Sequence, residues 1–279
     1  VIEYRGVFHV YVRQFSSGKK YLQIVLHLPF EEYLKGVVPS EMPATWPMES
    51  LKAQAIAART YALYQIQNFK AASTDYDFDD TVLYQAFLGL NREHSRTNEA
   101  IQLTKSQVLT FNQSPIQAFF SADSGGYTEA AENVWMKYFP YCPSKPEVYD
   151  LNLVKNNWQY SSSIEKIETE LRAKNLIKGK ASLTDFQVTK KSKSGRAIGI
   201  KLSFSDGSSK THFGVDIQMA MKLRSNFIEV RKDVNSASTF FFDGKGYGHG
   251  VGMNQWGARI LAQTNSWNYQ QILLFYFQQ

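Results

Sequence analysis

The chain of 279 residues is poor in cysteine and has no long apolar run. Its only cysteine, Cys142, excludes an internal disulfide and any metal site built from several cysteines. A single thiol without a catalytic pattern around it is more often a small packed side chain than a nucleophile. No apolar run approaches the roughly 20 residues that a membrane-spanning helix needs, and the composition is typical of a folded globular protein.

The N-terminus reads Val-Ile-Glu-Tyr, with neither an initiating Met nor the pattern of a signal peptide. We therefore expect a mature or truncated form, from which a signal peptide or membrane anchor is missing. The lack of a targeting segment in this sequence is no indication of a cytoplasmic protein.

Acidic residues are in deficit, 25 against 31 basic ones, and the formal net charge is +6. This balance favours an anionic partner, which could be nucleic acid, anionic lipid or an anionic cell-wall polymer. The densest basic stretch, residues 190–196, contains the Ser and Gly typical of a solvated hairpin turn. We therefore expect no nucleic-acid partner.

The patterns that are present predict an α+β fold, with a core of helices packed on antiparallel strands. Alternating runs at 4–12 and 21–28 predict a hairpin, and a short helix is predicted across 30–37. An alanine-rich helix is predicted from an N-cap at Thr45 to about residue 68. Arg59 falls on its inward face, where a guanidinium requires partners.

A second group of strands predicts a smaller inserted α/β subdomain. A helical pattern at 163–176 precedes three β-like runs between residues 185 and 213. We place the core at residues 1–157 plus 231–279 and the inserted subdomain at 158–230.

Five glycines occur in the run at residues 246–258, and Tyr247, His249, Asn254, Gln255 and Trp256 stand between them. This density suggests a backbone that turns sharply or lies close to another group. The glycine spacing fits neither a dinucleotide fingerprint nor a phosphate loop. Two interpretations remain open from the residues alone: a structural turn with His249 as a hydrogen-bonding residue, or a binding site.

Several ordered blocks resemble the sporulation stage II protein D family, also called the SpoIID/LytB or amidase-enhancer family. Residues 31–43 look like its opening signature, residues 52–62 continue it, and residues 246–258 match its C-terminal signature. The blocks cover nearly the whole chain. The remaining matches are Asp80, 85–89, 124–129, 132–135 and 194–196.

The resemblance implies a lytic transglycosylase that cleaves the MurNAc-GlcNAc β-1,4 bond of peptidoglycan strands stripped of their peptides, leaving 1,6-anhydroMurNAc ends. It places the catalytic glutamate at Glu41. A single carboxyl can serve as acid and then as base, because the muramyl 6-hydroxyl attacks internally in place of water. We expect apolar neighbours such as Met42 and Trp46 to raise the pKa of Glu41.

Arg59 matches the same family block but would impair a general acid if it touched Glu41. We therefore expect Arg59 to bind another anion, either a structural carboxylate or the lactyl carboxylate of a stripped muramic acid. Aromatic and amide side chains suit sugars. The predicted substrate-binding residues are Arg59, Ser124, Tyr127, Tyr247, His249, Asn254, Gln255 and Trp256.

One departure from the family concerns Ser121, which stands where many relatives have a histidine. Some relatives also bind zinc through nearby cysteines, whereas Cys142 is alone here. We expect no metal and no cofactor. The substitution also keeps a second hypothesis open, that of a non-catalytic peptidoglycan-binding activator of a cell-wall amidase.

Under either hypothesis the expected partners are glycan strands and a cell-wall amidase or a septal wall-remodelling complex. The expected location is extracytoplasmic, in the periplasm, cell wall or intermembrane space, with or without a membrane anchor.

Overall fold

The computed structural model describes residues 2–68, 76–79, 84–149, 152, 157–234 and 238–277. The chain contains both helices and mostly antiparallel strands, in runs of one to three elements of the same kind, which confirms the predicted α+β class. The chain forms two compact units, and each unit combines one long range of the sequence with a short range near the C-terminus. The first unit comprises Val1–Ala118 and Leu261–Leu273, and the second comprises Phe119–Ile260 and Leu274–Gln279.

The first unit begins with the predicted hairpin, whose strands are β1 (Val7–Gln14) and β2 (Lys20–His27). The strands pair antiparallel in an unbroken register from Val7 opposite His27 to Gln14 opposite Lys20. The hairpin is therefore confirmed, and its turn lies at the predicted Ser-Ser-Gly-Lys stretch.

Three helices form the body of the first unit: α1 (Phe30–Glu41), α2 (Met48–Asn68) and α3 (Ser95–Leu103). The alanines of α2 are buried, which confirms a central helix that its neighbours approach closely. The helix begins at Met48 rather than after Thr45, and the single carbonyl of Pro47 accepts the first hydrogen bonds, from the N–H groups of Ser50 and Leu51.

The helix predicted to end at residue 37 continues to Glu41 and contains Pro39. A proline lacks the backbone N–H and usually ends a helix. Here the helix continues for two residues, and Ser40 Oγ donates a hydrogen bond to the Gly36 carbonyl at 2.7 Å. The consequence is that Glu41 is the last residue of a helix and does not lie in an extended segment.

The interior of this unit contains a charged side chain, Arg59 of α2, which is 1% exposed. Its Nε and Nη2 atoms each donate to one carboxylate oxygen of Glu31 at 2.9 Å. Further donations go to the carbonyls of Ile101 and Gln107, at 3.2 Å and 3.3 Å. Arg59 therefore links α1, α2 and the region of α3, and it binds a structural carboxylate, the first of the two predicted alternatives.

Short elements complete the first unit: a 3-10 turn (Leu90–Arg92) and the strands β3 (Thr110–Phe111) and β4 (Ser114–Pro115). The helices α7 (Gln255–Thr264) and α8 (Tyr269–Tyr276) each have residues in both units. The family-matching Asp80 lies outside the described residues.

The described residues of the second unit form three small sheets. The strands β7 (Leu183–Lys191), β8 (Ala197–Phe204) and β9 (Ser209–His212) form an antiparallel meander. A second antiparallel sheet has the order β10-β11-β6, and a short parallel pair joins β5 to β12. The bounds are β5 (Phe120–Ser121), β6 (Asn157–Ser163), β10 (Ile228–Lys232), β11 (Thr239–Lys245) and β12 (Met253–Asn254).

The helices of this unit are α4 (Glu132–Trp135), α5 (Ile164–Ala173) and α6 (Gly214–Met221). Side chains from α5, α6 and the meander share one apolar core, which includes Leu171, Ile200 and Ile217. Phe240 and Phe242 of β11 belong to the same core. The segment predicted as an insertion, 158–230, thus packs around a core that also takes residues from beyond its predicted end.

Replacing Arg59 by Met should lower the free energy of unfolding by roughly 3 kcal/mol, because Glu31 and two carbonyl groups lose a buried partner. The matched control is Lys35→Met, which removes the more exposed Lys35–Glu32 ion pair of α1 and should cost no more than about 1 kcal/mol. Urea unfolding of both variants measures the difference. Equal losses of unfolding free energy in the two variants would contradict a larger contribution from the buried Arg59–Glu31 pair.

Candidate functional site

Glu41 lies at the C-terminal end of α1 with its side chain partly exposed. Its Oε1 accepts a hydrogen bond from the backbone N–H of Ala86 at 2.8 Å. Burial raises the pKa of Tyr33 and of Tyr61, and the charge of Glu41 adds to both shifts, so both rings lie near this carboxyl. Tyr33 also donates to Gln85 Oε1 at 3.2 Å.

This arrangement suits a carboxyl group that exchanges protons. The phenols of Tyr33 and Tyr61 are uncharged at neutral pH, as phenols ordinarily are, and the raised pKa values extend this state to higher pH. The Ala86 N–H stabilises a negative charge on Glu41, whereas the negative end of the α1 dipole opposes that charge. Arg59 donates to Glu31 rather than to this carboxyl, in agreement with the expectation that Arg59 binds another anion.

The second unit brings together two glycine-rich loops that are far apart in the sequence, residues 124–129 and 246–252, called here the paired loops. Asp123 and Tyr247 exchange backbone hydrogen bonds at 2.9 Å and 3.0 Å. The Glu129 N–H donates to the Gly250 carbonyl at 2.8 Å. The Gly250 N–H donates to Ser121 Oγ at 3.2 Å, so Ser121 supports the second loop.

Arg196 is fully buried beneath the paired loops. Its guanidinium donates to the carbonyl of Ser124 at 2.6 Å and to the carbonyl of Tyr127 at 3.0 Å. Burial lowers the pKa of Arg196 to about 10, and the nearby carboxylate of Glu129 opposes this shift. The backbone of Gly250 passes so close that a β-carbon there would overlap the guanidinium.

A buried polar cluster lies behind the same loops and centres on Glu147. Its Oε1 accepts from Ser124 Oγ at 2.7 Å and from Asn254 Nδ2 at 3.2 Å, and its Oε2 accepts from the Tyr276 hydroxyl at 2.9 Å. Asn254 Nδ2 also donates to the Tyr149 hydroxyl at 2.7 Å. Burial raises the pKa of Glu147, and these hydrogen bonds oppose the shift.

Two predicted substrate-binding residues, Ser124 and Asn254, belong to this cluster and are 0% and 1% exposed. Their side chains bind other side chains of the unit, so in this geometry they hold the paired loops in place rather than reach a ligand directly.

His249 lies at the centre of the second loop, and its ring is held by the main chain. Its Nδ1 accepts the Val251 N–H at 3.0 Å, and the ring also bonds to the backbone of Phe120. Burial, followed by the charge of Arg196, lowers the pKa of His249 to about 4. The imidazole is therefore neutral at physiological pH. The centroids of the His249 and Trp135 rings lie 5.0 Å apart, in a T-shaped arrangement.

The other predicted residues differ in exposure. Tyr247 is 54% exposed and Trp256 is partly exposed, with the Arg259 guanidinium 4.8 Å from the Trp256 ring centroid. Gln255 is buried. Tyr127 is partly exposed, and its carbonyl accepts from Arg196. Tyr247 and Trp256 are thus the members of the second loop and its helix that offer ring surface to a ligand.

Three residues of this site were not among the predicted ones: Trp135, Arg196 and Glu147. The first two lie in blocks that carry the family resemblance, so that signal could have identified them. Glu147 has no local pattern, because its role depends on Asn254 and Tyr276, which lie 107 and 129 positions away.

Within the described residues, no group of three or more His, Cys, Asp or Glu side chains is placed to hold a metal ion. Cys142 is buried, and burial raises the pKa of its thiol. None of the described helices combines the length and the apolar composition needed to cross a bilayer.

Comparison with known proteins confirms the family. The stage II sporulation protein family matches residues 18–111, and a domain of unknown function (DUF8618) matches residues 151–252. Stage II sporulation protein D of Bacillus subtilis (strain 168) is 31% identical over 92% of this chain and 75% of its own length. The chain belongs to the SpoIID family.

Two further relatives are longer than the matched region. Amidase enhancer of Bacillus subtilis (strain 168) is 33% identical over 88% of this chain, which covers 39% of that protein. An uncharacterized protein of Brachyspira hyodysenteriae is 34% identical over 91% of this chain, which covers 66% of that protein. The chain therefore spans only part of each of these two relatives.

The Gly250→Ala variant should be clearly less stable than Gly207→Ala. Both glycines have positive φ values, +75° and +82°, so both substitutions carry similar backbone strain. Only at position 250 does the new β-carbon overlap the Arg196 guanidinium, whereas position 207 faces open space. Thermal unfolding measures both, and a smaller or equal loss at position 250 would contradict the packing described.

The Glu147→Gln variant should gain stability relative to wild type as the pH rises. The folded-state pKa of Glu147 is raised above 4.5, so its contribution is fully present below the unfolded pKa and is lost as pH rises through the folded pKa. A glutamine cannot ionise and avoids that loss. Urea unfolding between about pH 4 and pH 8 measures the trend.

The control for this trend is Glu165→Gln, because hydrogen bonds lower the pKa of the exposed Glu165. Its contribution is present above the unfolded pKa, so this variant should change in the opposite direction with pH. A stability difference for Glu147→Gln that does not depend on pH would contradict the shift.

Proposed function

We propose that this protein is an extracytoplasmic lytic transglycosylase that cleaves the MurNAc-GlcNAc β-1,4 bond of peptide-stripped glycan strands. The proposal rests on Glu41, which the family resemblance assigns as the catalytic glutamate and which lies at a partly exposed helix end; the chain's membership of the SpoIID family supports it. The basic net charge of +6 suits an anionic wall polymer.

The reaction needs one carboxyl group that changes role. Glu41, as the acid, protonates the glycosidic oxygen while the bond to the muramyl C1 breaks, and the GlcNAc 4-hydroxyl leaves. The muramyl 6-hydroxyl then bonds to C1, and its proton returns to the Glu41 carboxylate. The 1,6-anhydro product forms without water, and Glu41 ends in its starting state.

The contacts of Glu41 support both roles. The Ala86 N–H, at 2.8 Å, stabilises the carboxylate that exists between the two proton transfers. Tyr33 and Tyr61 supply uncharged rings beside the carboxyl group. Because Arg59 binds Glu31, its positive charge does not pair directly with the acid.

A second function has one specific observation in its favour, the name of the relative Amidase enhancer. On this reading the protein binds peptidoglycan without cleaving it and activates a cell-wall amidase. Ser121, in the position of the family histidine, fits such a role because its hydroxyl accepts a bond from Gly250 and serves the loop structure.

Glu41→Gln should lower the rate of anhydromuramyl product formation by at least roughly a hundredfold, since an amide cannot donate the required proton. Stripped peptidoglycan is digested, and the products are measured by mass spectrometry. Glu32→Gln, the same substitution on the same helix, is the matched control and should retain wild-type activity.

Equal product from wild type and Glu41→Gln would contradict the catalytic assignment. Binding to peptidoglycan with no product from wild type, together with faster cleavage by an added amidase, would favour the activator function.

A further inference from the structure

Trp135 has one face of its indole ring covered and the rest partly exposed. The ring stacks on Phe119 with centroids 4.2 Å apart and an interplanar angle of 15°. Phe119 is buried, whereas Trp135 is 41% exposed. Because Phe119 covers one face, the exposed surface includes the opposite face. An indole face held towards solvent is a large apolar surface that a folded protein usually buries.

The backbone on both sides of this stack is fixed. The Trp135 N–H donates to the Ala131 carbonyl at 2.8 Å, and Met136 ends α4 in a left-handed conformation with φ 54°. Phe119 accepts from the Met253 N–H at 3.0 Å, and the edge of Phe139 packs against its ring. The indole is therefore held in place before any ligand arrives, which reduces the entropy cost of binding.

His249 supports the edge of the indole without adding charge. Its ring lies 5.0 Å from Trp135 at an interplanar angle of 63°, and the main chain holds its orientation. The neutral imidazole adds no positive charge at this edge of the ring.

A cleft of about 310 Å³ shares Phe139 with the Phe119–Trp135 stack, since Phe139 lines the cleft and packs against Phe119. Its polar lining includes Glu132 and Asn133 of α4, the helix that carries Trp135, together with Tyr138, Ser144 and Lys193. Carboxylate, amide and hydroxyl groups can bond to the hydroxyl and acetamido groups of an amino sugar, while the C–H face of its pyranose ring lies flat on an indole.

We propose that the Trp135 face, together with the α4 cleft, is a glycan subsite that binds an N-acetylated amino-sugar ring by stacking. The subsite rests on the proposed function for the identity of its ligand, the stripped glycan strand. Phe119 and His249 are positioning residues for the indole. The subsite lies entirely within the second unit, and its role is to hold the strand rather than to transfer protons.

Binding is best measured in the full chain with the Glu41→Gln substitution, so that the strand is not cleaved. Adding Trp135→Ala should weaken binding to soluble stripped glycan strands by roughly tenfold, the scale of losing one ring-stacking contact. Trp135→Phe keeps a smaller ring and should recover part of the affinity. Met136→Ala, at the neighbouring 76% exposed side chain, is the matched control and should bind as the parent does.

A second measurement distinguishes direct contact between Trp135 and the glycan from a structural role of Trp135. Oxidative footprinting followed by mass spectrometry should show Trp135 protected by bound glycan strands, and the thermal midpoint of Trp135→Ala should stay close to that of the parent. Unchanged affinity in Trp135→Ala, or no protection of Trp135, would overturn the subsite and leave the proposed function intact. Failure of the parent to bind glycan, with no anhydro product from wild type, would overturn both.

Discussion

The guanidinium of Arg196 is buried where the paired loops of the second unit meet, and both loops depend on it. Its donations to Ser124 and Tyr127 fix the first loop, and the second loop can pass over it only because position 250 has no side chain. Glu129 adds the compensating negative charge and also bonds to Ser194 at 2.8 Å. Burying a positive charge is costly unless it is paired and hydrogen-bonded. The Arg196 guanidinium therefore depends on the two loop carbonyls and on the charge of Glu129.

The first unit also contains a buried arginine, which joins helices instead of loops. Arg59 is buried, pairs with Glu31 and joins the helices of the first unit. It is the only deeply buried arginine among the described residues of that unit, and its partner is a structural carboxylate. Glu41, ten residues further along α1, instead receives a backbone N–H and two tyrosine neighbours. Two carboxylates of one helix thus have distinct environments, one suited to a permanent ion pair and one to proton exchange.

Local patterns in the sequence predicted much of the fold. Alternation predicted the hairpin of β1 and β2, and the abundance of small alanine side chains predicted that α2 is a buried central helix. The end of α1 was placed too early because Pro39 reads as a helix breaker, yet the helix continues to Glu41. The roles of Ser124 and Asn254 could not be predicted, since exposure of a polar side chain depends on what packs over it.

The sequence by itself determined the β1–β2 hairpin, the central helix α2 and the family, because each of these depends on residues close together along the chain. Tertiary structure alone decided that His249 is neutral, that Trp135 keeps one face exposed and that Asn254 is buried beside Glu147. The physical reason is that burial and hydrogen bonding are set by neighbours in space, and Asn254 bonds to Ser124 across 130 positions of sequence.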